Sequence, residues 1–171
     1  APTGQELREL SRETLEVSID AIEANPHQPR TDFDEQALEE LAQSIHVHGI
    51  IQPLTLRRLH EGKYQLIAGE RRWRAAQKAG LKQVPAYIRL ADDQGMLEMA
   101  IVENIQRADL NAMEMAFSLQ RLIDECKLTH EELSTRVGKQ RSTVSNFLRL
   151  LKLPPRVQQA LRKEEISMGH A

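Results

Sequence analysis

The sequence predicts an α+β protein in which a small mixed α/β domain precedes an all-α domain. Aromatic residues make up only 4% of the 171 residues, and this composition favours packed helices over a β-sandwich. Apolar runs with strand-like alternation are interspersed with helical patterns up to Asp92, and the pattern beyond it is helical throughout. We therefore expect a flexible lead at residues 1–14, a mixed domain at residues 15–109 and a helical domain at residues 110–171.

The first domain carries the strand signals. We predict strands at residues 17–19, 54–59, 63–68 and 84–90, the middle two forming a hairpin around Gly62. Asp34 is a good N-cap for a helix whose apolar residues recur at helical spacing, and Gly49 ends that helix. A second helix follows Gly69 and ends at Gly80. Pro26 and Pro29 force extended backbone before the first helix.

The second domain begins with helix signals of its own. One helix is predicted from Gln94 to Gln106, with Leu97, Ala100, Ile101 and Ile105 on its inward face. Asn111 with Glu114, and Thr129 with Glu132, have the spacing of capping boxes, so each pair predicts a further helix start.

Positive charge is concentrated late in the chain. Residues 127–163 contain nine Lys and Arg but two acidic residues, whereas residues 1–126 carry a net charge of −7. A concentrated positive field beside an acidic domain is typical of a module that binds phosphate groups. A solvated basic face would be the default interpretation if no DNA-reading motif lay within the segment.

Residues 129–151 match the helix-turn-helix pattern, in which Gly138 permits the sharp turn. Val144, Phe147, Leu148 and Leu151 recur at helical spacing and are expected to pack inward. An ordinary helical hairpin is the alternative, but the positive field and the polar outward face favour DNA binding. Gln140 stands where Ser or Thr would cap the second helix better, so that start is expected to be weaker. The expected DNA-contacting residues are Lys139, Gln140, Arg141, Ser142, Thr143, Ser145, Asn146 and Arg149.

A candidate anion site lies at Gly69, Glu70, Arg71 and Arg72, where a strand is followed by a helix. Glycine permits close approach of a ligand, and the N–H groups at a helix start attract negative charge. The two arginines add forked donors suited to phosphate. Glu70 either complements the helix dipole or orients a metal or water.

A second constellation lies at residues 103–107. Glu103, Asn104 and Arg107 are expected to project together across about one helical turn. A carboxylate, an amide and a guanidinium could hold Mg²⁺ and a phosphate chain. Taken alone, this segment would be interpreted as a surface patch with a Glu–Arg ion pair.

These motifs occur in a fixed order along the chain. Residues 25–30, 48–54, 69–74, 103–107 and 109–111, followed by the helix-turn-helix, together resemble the ParB family of chromosome and plasmid partition proteins. The resemblance extends from about Leu15 to Ala171. It implies a nucleotide-binding domain of ParB/sulfiredoxin-like fold followed by a helix-turn-helix domain.

The resemblance also implies a function, a CTP-dependent DNA clamp with slow hydrolysis of CTP. The residues that would flank the cytosine are Gly49, Ile50, Ile51, Gln52 and Pro53. Those that would hold the triphosphate are Gln28, Arg30, Gly69, Glu70, Arg71, Arg72, Asn104 and Arg107. Glu103 and Asn104 would bind Mg²⁺, and Glu70 and Glu103 would support hydrolysis.

The partners that the family implies are macromolecules. They are a palindromic, centromere-like parS DNA site, a ParA-type ATPase, SMC condensin and a second copy of the chain. Self-association would use a C-terminal dimerisation domain outside this sequence and, on CTP binding, the N-terminal domains. The single cysteine, Cys126, fits a reducing compartment, so we expect a cytoplasmic, nucleoid-associated protein.

Three alternatives stay open at this point. A nucleoid-occlusion relative, or a transcription regulator without a segregation role, would share these motifs. The first domain also resembles sulfiredoxin, which uses a cysteine in the corresponding turn. Residues 69–72 contain no thiol, so sulfinic acid reduction is disfavoured.

Several conspicuous side chains are interpreted as packing residues. Trp73 is expected to pack its helix onto the sheet rather than to stack on a base. Cys126 is expected to be structural, and the methionines of the helical region are interpreted as packing residues: Met96, Met99, Met113 and Met115.

Overall fold

The computed structural model describes residues 14–25, 34–60, 62–89, 94–107 and 109–170. Two compact units make up the chain, Ala1–Leu90 and Ala91–Ala171. The expected flexible lead, apart from Thr14, and the extended segment around Pro26 and Pro29 lie outside the described residues. The two units divide between Leu90 and Ala91, whereas the expected domains divide at residue 109.

The first unit is built on a five-stranded mixed sheet. Its strands are β1 (Thr14–Ser18), β2 (Ile22–Glu23), β3 (Leu54–His60), β4 (Lys63–Ala68) and β5 (Gln83–Arg89), arranged in the order β1-β5-β3-β4-β2. The predicted hairpin is confirmed, because β3 and β4 pair antiparallel. β3 also pairs parallel with β5, and β1 pairs antiparallel with β5.

The predicted first strand needs a correction at its end. β1 stops at Ser18, and Ile19–Ala21 forms a 3₁₀ turn before β2. β2 pairs parallel with β4 through only two residues. A strand of two residues has no alternation that a sequence pattern could reveal, which is why it was not predicted.

Two helices cover this sheet, α1 (Glu35–His48) and α2 (Glu70–Lys78). The Asp34 side chain accepts a hydrogen bond from the Gln36 N–H at 3.0 Å, so the predicted N-cap is confirmed. Gly49 has a φ of 73° and ends α1, again as predicted. Lys78 donates to Glu35 and Glu39 and so links α2 to α1; its hydrogen bonds, first to Glu39, raise the pKa of Lys78.

The core of the first unit lies between the sheet and these helices. Leu54 and Leu56 of β3 are fully buried, as are Val84 and Ala86 of β5. Trp73 of α2 is buried in the same cluster, which confirms the packing interpretation. Within the described residues its indole Nε1 has no hydrogen-bond partner.

The second unit is helical. Its helices are α3 (Gln94–Ile105), α4 (Ala112–Cys126), α5 (His130–Val137), α6 (Arg141–Arg149) and α7 (Pro155–Arg162), with 3₁₀ turns at Leu150–Lys152 and Met168–His170. α4 lies at its centre, packed against α3, α5, α6 and α7. Cys126 is buried in this core, as expected of a structural residue. None of the described helices has the length and apolar character needed to cross a bilayer.

The methionine prediction is half wrong. Met113 and Met115 of α4 are buried, but Met96 and Met99 of α3 are 43% and 73% exposed. The reason is helical geometry: the inward face of α3 is set by residues such as Leu97 and Ile101, and positions 96 and 99 lie on another side of the helix.

Leu56→Ala should destabilise the first unit by about 2–5 kcal/mol, because it removes a fully buried side chain from the central strand. The matched control is Leu59→Ala, which changes a 41% exposed leucine on the same strand and should shift stability by less than about 0.5 kcal/mol. Urea unfolding of both variants measures the difference. Equal effects would contradict the placement of Leu56 at the centre of the core.

Candidate functional site

Gly69 forms the turn between β4 and α2. Its φ of 103° lies in the left-handed region, and it contributes no side-chain cap to α2. A Cβ at this position would lie 2.6 Å from Leu54 Cδ2 and 3.0 Å from Arg72 Nη2. Packing therefore requires glycine here in addition to backbone conformation.

Arg72 connects the start of α2 to the loop that precedes β3. Its Nη1 donates to the carbonyl oxygens of Gln52 and Pro53, each at 2.7 Å. These bonds hold residues 49–53 against the turn at Gly69. Two of the segments that the sequence predicted for nucleotide binding are thus brought together, and Arg72 itself is half-buried.

The other charged residues of the turn differ in their surroundings. Glu70 Oε1 accepts hydrogen bonds from Arg74 Nε at 3.3 Å and Nη2 at 3.1 Å. The Glu70 side chain is only 18% exposed.

Arg71 is exposed, and among the described residues it makes no hydrogen bond or ion pair. Arg71 therefore presents an unengaged guanidinium to solvent, whereas Glu70 is held by an arginine that the sequence had not singled out.

Residues 49–53 present mainly backbone and two side chains at the surface. Ile51 and Pro53 are buried, whereas Gly49, Ile50 and Gln52 are half-buried. Ile50 packs against the core of the first unit. The remaining predicted residues of the first unit, Gln28 and Arg30, lie outside the described residues.

The segment at the end of α3 does not have the arrangement that the sequence predicted. Glu103 is exposed, but Asn104 is buried with 8% exposure. Consecutive residues of an α-helix are about 100° apart, and position 104 falls on the inward face with Ile101 and Ile105. Arg107 lies beyond the helix and folds back, with its Nη1 3.3 Å from Asn104 Oδ1. The three side chains therefore do not project together.

Acidic groups also surround Arg107. Its Nη2 donates to Asp109 Oδ2 at 2.7 Å. Burial raises the pKa of the Glu114 carboxyl, and Arg107 is the largest influence that opposes this rise. A phosphate bound at Arg107 would compete with these carboxylates.

Three long-range polar contacts attach α3 and Gln106, the residue after it, to the helices that follow. Gln94 Nε2 donates to the Glu125 carbonyl at 3.3 Å, and Gln106 Nε2 donates to the Val137 carbonyl at 3.4 Å. Arg136 Nη1 bonds Glu98 Oε1 at 2.7 Å. α3 is therefore part of the second unit. Because these pairs are more than thirty residues apart in sequence, no local pattern could have revealed them.

The helix-turn-helix begins as the sequence predicted. Thr129 Oγ1 accepts from the Glu132 N–H at 3.1 Å, and Glu132 Oε1 accepts from the Thr129 N–H at 3.2 Å. Gly138 ends α5 with a φ of 68°. Gln140, the N-cap of α6, makes no side-chain cap bond, so the predicted weaker start is confirmed. Asn111 caps α4 as predicted, since its Oδ1 accepts from the Glu114 N–H. The Glu114 side chain, however, accepts from the Asn111 side-chain amide rather than from its backbone N–H.

The outward face of α6 is polar, as predicted. Val144 is 1% exposed, with Phe147 and Leu148 packed against the same core. One inward residue was misassigned: Leu150, not Leu151, is buried, because the chain tightens into a 3₁₀ turn after Arg149. The expected DNA-contacting residues are exposed at Gln140, Arg141, Ser142, Asn146 and Arg149 and half-buried at Lys139, Thr143 and Ser145.

Comparison with known proteins identifies the family. The model of the ParB N-terminal domain matches residues 4–105, and the model of the ParB HTH domain matches residues 108–171. The chain belongs to the ParB family. These two matches cover both units, in the order in which the motifs occur.

Individual relatives agree with this assignment. The probable chromosome-partitioning protein ParB of Coxiella burnetii is 52% identical over 96% of this chain and 57% of its own length. The nucleoid occlusion protein of a Geobacillus species is 45% identical over 96% of this chain and 58% of its own. The chain thus spans about half the length of the curated relatives it matches.

Solved structures of Caulobacter crescentus ParB, C-terminally truncated, were also matched. One is complexed to the centromeric parS site and is 47% identical, covering 91% of this chain and 81% of that one, with a TM-score of 0.43. The other is complexed with CTP-γ-S and is 46% identical, covering 92% of this chain and 88% of that one, with a TM-score of 0.44.

Gly69→Ala should lower the free energy of unfolding by roughly 2–5 kcal/mol, because left-handed strain and overpacking against Leu54 act together. Gly62→Ala is the matched control, since Gly62 also has a positive φ but nothing within 4 Å of its Cβ position. It should cost about 1–2 kcal/mol from strain alone. If chemical denaturation gave the two variants the same stability, the packing role of Gly69 would be wrong.

Proposed function

We propose that this ParB-family chain is the nucleotide-binding and DNA-binding part of a chromosome partition protein. It would load at a specific palindromic, parS-like DNA site and act as a CTP-dependent sliding clamp with slow CTP hydrolysis. The observation that best supports this nucleotide site is the pair of 2.7 Å hydrogen bonds from Arg72 to the carbonyls of Gln52 and Pro53. They hold residues 49–53 against the start of α2, which supports a site in which the loop would contact a base and the helix start would contact phosphates.

The choice of ligands comes from sequence identity with characterised relatives. A protein 46% identical over 92% of this chain was crystallised with CTP-γ-S, and the same protein was crystallised with parS DNA. The ordered motifs and the two family-model matches extend over both units. We therefore assign a CTP-like nucleotide to the first unit and duplex DNA to the second.

In the nucleotide site, residues 49–53 would flank the cytosine. Burial of Ile51 and Pro53 leaves the backbone, Ile50 and Gln52 as the groups that can meet a base. Gly69 and the first turn of α2 would bind phosphate oxygens through backbone N–H groups and the helix dipole. Arg71 would add a charge-assisted contact, whereas Arg72 would mainly hold the loop in place. Gln28 and Arg30 are assigned to the triphosphate as well.

Mg²⁺ with a nucleotide takes most of its ligands from phosphates and water, together with one or two carboxylates. The exposed Glu103 fits the carboxylate role. Asn104 fits less readily, because it is buried and one lone pair of its Oδ1 already accepts a hydrogen bond from Arg107. Within the described residues no group of three or more His, Cys, Asp or Glu forms a dedicated metal site, so the phosphates would be required for binding.

Hydrolysis would proceed by attack of water on the γ-phosphorus. The new P–O bond forms as the bond to the bridging oxygen breaks, releasing CDP and inorganic phosphate after proton loss from the water. Glu70 and Glu103 are the candidates for orienting that water. Glu70 is paired with Arg74, and this pairing would restrain the carboxylate, consistent with a slow reaction.

Nucleotide binding would act on DNA binding through α3. Asn104 and Arg107, at the end of α3, are assigned to the triphosphate from the family resemblance. Because α3 is attached to the helix-turn-helix helices by Glu98–Arg136 and two further contacts, a ligand bound at the end of α3 would shift the population of DNA-binding states of the second unit. Paired N-terminal domains would then close around DNA.

The proposed partners act on the whole protein. They are the parS-like duplex, a ParA-type ATPase, SMC condensin and a second copy joined through a C-terminal dimerisation domain. Binding to such sites would place the protein on the nucleoid. The exposed Arg141, Asn146 and Arg149 have the chemistry to contact guanine, adenine or phosphate in the major groove.

Nucleoid occlusion is the second candidate. The relative from Geobacillus named for that role is 45% identical over nearly the whole chain, so sequence identity does not separate the two roles. A transcription regulator without nucleotide is the third. Binding of CTP would exclude a transcription regulator that uses no nucleotide. Mapping the DNA sites that the protein occupies in cells would separate chromosome partition from nucleoid occlusion.

Arg71→Ala should weaken or abolish CTP binding and sliding while sparing initial recognition of the DNA site, because it removes a solvent-facing phosphate contact. The loss should be at least tenfold in affinity, about 1.4 kcal/mol, with little change in unfolding free energy. Arg72→Ala should reduce both affinity and stability, since it leaves two carbonyls without their donor. Calorimetry with CTP and with other nucleotides, in the presence and absence of DNA, measures the affinities.

The same calorimetry tests the proposed function itself. No uptake of CTP by the unsubstituted, dimeric protein under any DNA condition would eliminate the clamp. If Arg71→Ala bound CTP normally, the assignment of the turn to the triphosphate would be wrong, whichever nucleotide the protein prefers.

Asn146→Ala and Arg149→Ala should each weaken binding of the specific duplex by about 1–3 kcal/mol if they read bases. CTP affinity of the free protein should be unchanged. Fluorescence anisotropy with a labelled parS duplex gives the DNA affinities. Equal damage to DNA and CTP binding in a folded variant would contradict the division of labour between the two units.

A further inference from the structure

The helix that would read DNA is held to the core by apolar side chains, Val144 with Phe147 and Leu148. α6 has nine residues, and Val144 is the one residue of this helix that is fully buried. Its N-cap residue, Gln140, makes no side-chain cap bond. We therefore expect its orientation to depend on this apolar packing and on what holds its C-terminal end.

That end is held by Gln158 of α7. Gln158 Nε2 donates to the Leu150 carbonyl at 3.0 Å and to the Leu153 carbonyl at 3.1 Å. Its residue exposure is 8%, and Leu150 is equally buried at 5%. A primary amide has two N–H donors, so this side chain can bond both carbonyls of the turn that follows α6, those of Leu150 and Leu153.

Two backbone hydrogen bonds stabilise the turn between α6 and α7. The Leu153 N–H donates to the Leu150 carbonyl at 3.2 Å, and the Gln158 N–H donates to the Pro154 carbonyl at 3.1 Å. α7 itself packs against α4, the central helix of the unit. Gln158 therefore joins the end of α6 to a helix that packs against the centre of the second unit.

We propose that Gln158 is a positioning residue for sequence-specific DNA recognition. It touches no DNA in this role; it sets the angle at which α6 leaves the core, and with it the positions of Asn146 and Arg149. Base contacts need side chains held within about 0.5 Å of their working geometry, whereas phosphate contacts tolerate displacement and carry no sequence information. Loss of Gln158 should therefore reduce specificity more than general affinity. This inference rests on the proposed DNA-binding function.

The test compares two duplexes with the full 171-residue chain. Gln158→Met keeps the length and burial of the side chain but removes both donors. Affinity for the parS duplex should fall at least tenfold, while affinity for a scrambled duplex of equal length stays within about twofold; a tenfold loss corresponds to about 1.4 kcal/mol. Gln158→Glu, which turns acceptor oxygens toward the two carbonyls, should lose more. Gln158→Asn keeps the amide but is one methylene shorter, so its affinity for the parS duplex should lie between those of the unsubstituted protein and Gln158→Met.

The matched control is Gln120→Met, which makes the same chemical change where the amide, among the described residues, bonds Asp124 within the same helix α4, at 2.9 Å. It should leave both affinities unchanged. Thermal unfolding of every variant, with binding measured well below the midpoint, ensures that only folded protein is compared. The readout is the ratio of the two affinities, which loss of folded protein alone would not alter.

The outcomes separate this inference from the proposed function. A ratio unchanged in Gln158→Met, or a proportional loss on both duplexes, would overturn the positioning role. If the unsubstituted protein showed no preference for the parS duplex or for any duplex that it selects from a random library, the proposed function would fail instead. Should Gln158→Met unfold at the assay temperature, an unchanged ratio in the milder Gln158→Asn would likewise overturn the role.

Discussion

The hydrogen bonds from Arg72 to the carbonyl oxygens of Gln52 and Pro53 are the constraint on which the first unit depends. They are possible because Gly69 has no Cβ, so Leu54 and the Arg72 guanidinium can both pack against the turn. A charged donor satisfying two backbone acceptors is a strong contact. It joins the loop before β3 to the start of α2 and so creates a single surface from segments about twenty residues apart.

This arrangement gives Arg71 and Arg72, the two arginines of the turn, different roles. From sequence they look equivalent, since both follow a glycine at a helix start. In the fold, Arg72 is directed to the backbone and Arg71 to solvent. Neighbouring residues on a helix point in directions about 100° apart, and the surrounding loop decides which of them is engaged. The same reasoning separates Glu103, which is exposed, from Asn104, which is buried.

In the second unit, the helix proposed to contact DNA bases is held in place by residues that would not contact DNA themselves. The polar face of α6 is set by its own sequence, but its two ends are held by neighbouring segments. The turn at Gly138 after α5 precedes it, and the turn bonded by Gln158 follows it. α3 is joined to the same helices through Glu98 and Arg136. A ligand that contacted α3 would therefore act on the DNA-reading unit as a whole.

Local features of this protein were determined by the sequence alone. The caps at Asp34, Asn111 and Thr129, the turn at Gly138 and the outward face of α6 follow from residues within four positions of each other. The ordered motifs likewise sufficed to indicate the family. Tertiary structure decided which predicted residues are engaged: Arg72 by the loop, Asn104 by the core, Leu150 rather than Leu151 by a tightened turn, and Met96 and Met99 by the side of α3 on which they lie. For Arg72 the physical reason is distance along the chain, because a hydrogen bond within one helical turn is encoded by spacing, whereas a contact across about twenty residues exists only once the chain has folded. For the other residues it is the neighbouring structure, which decides which side of a helix or turn is buried.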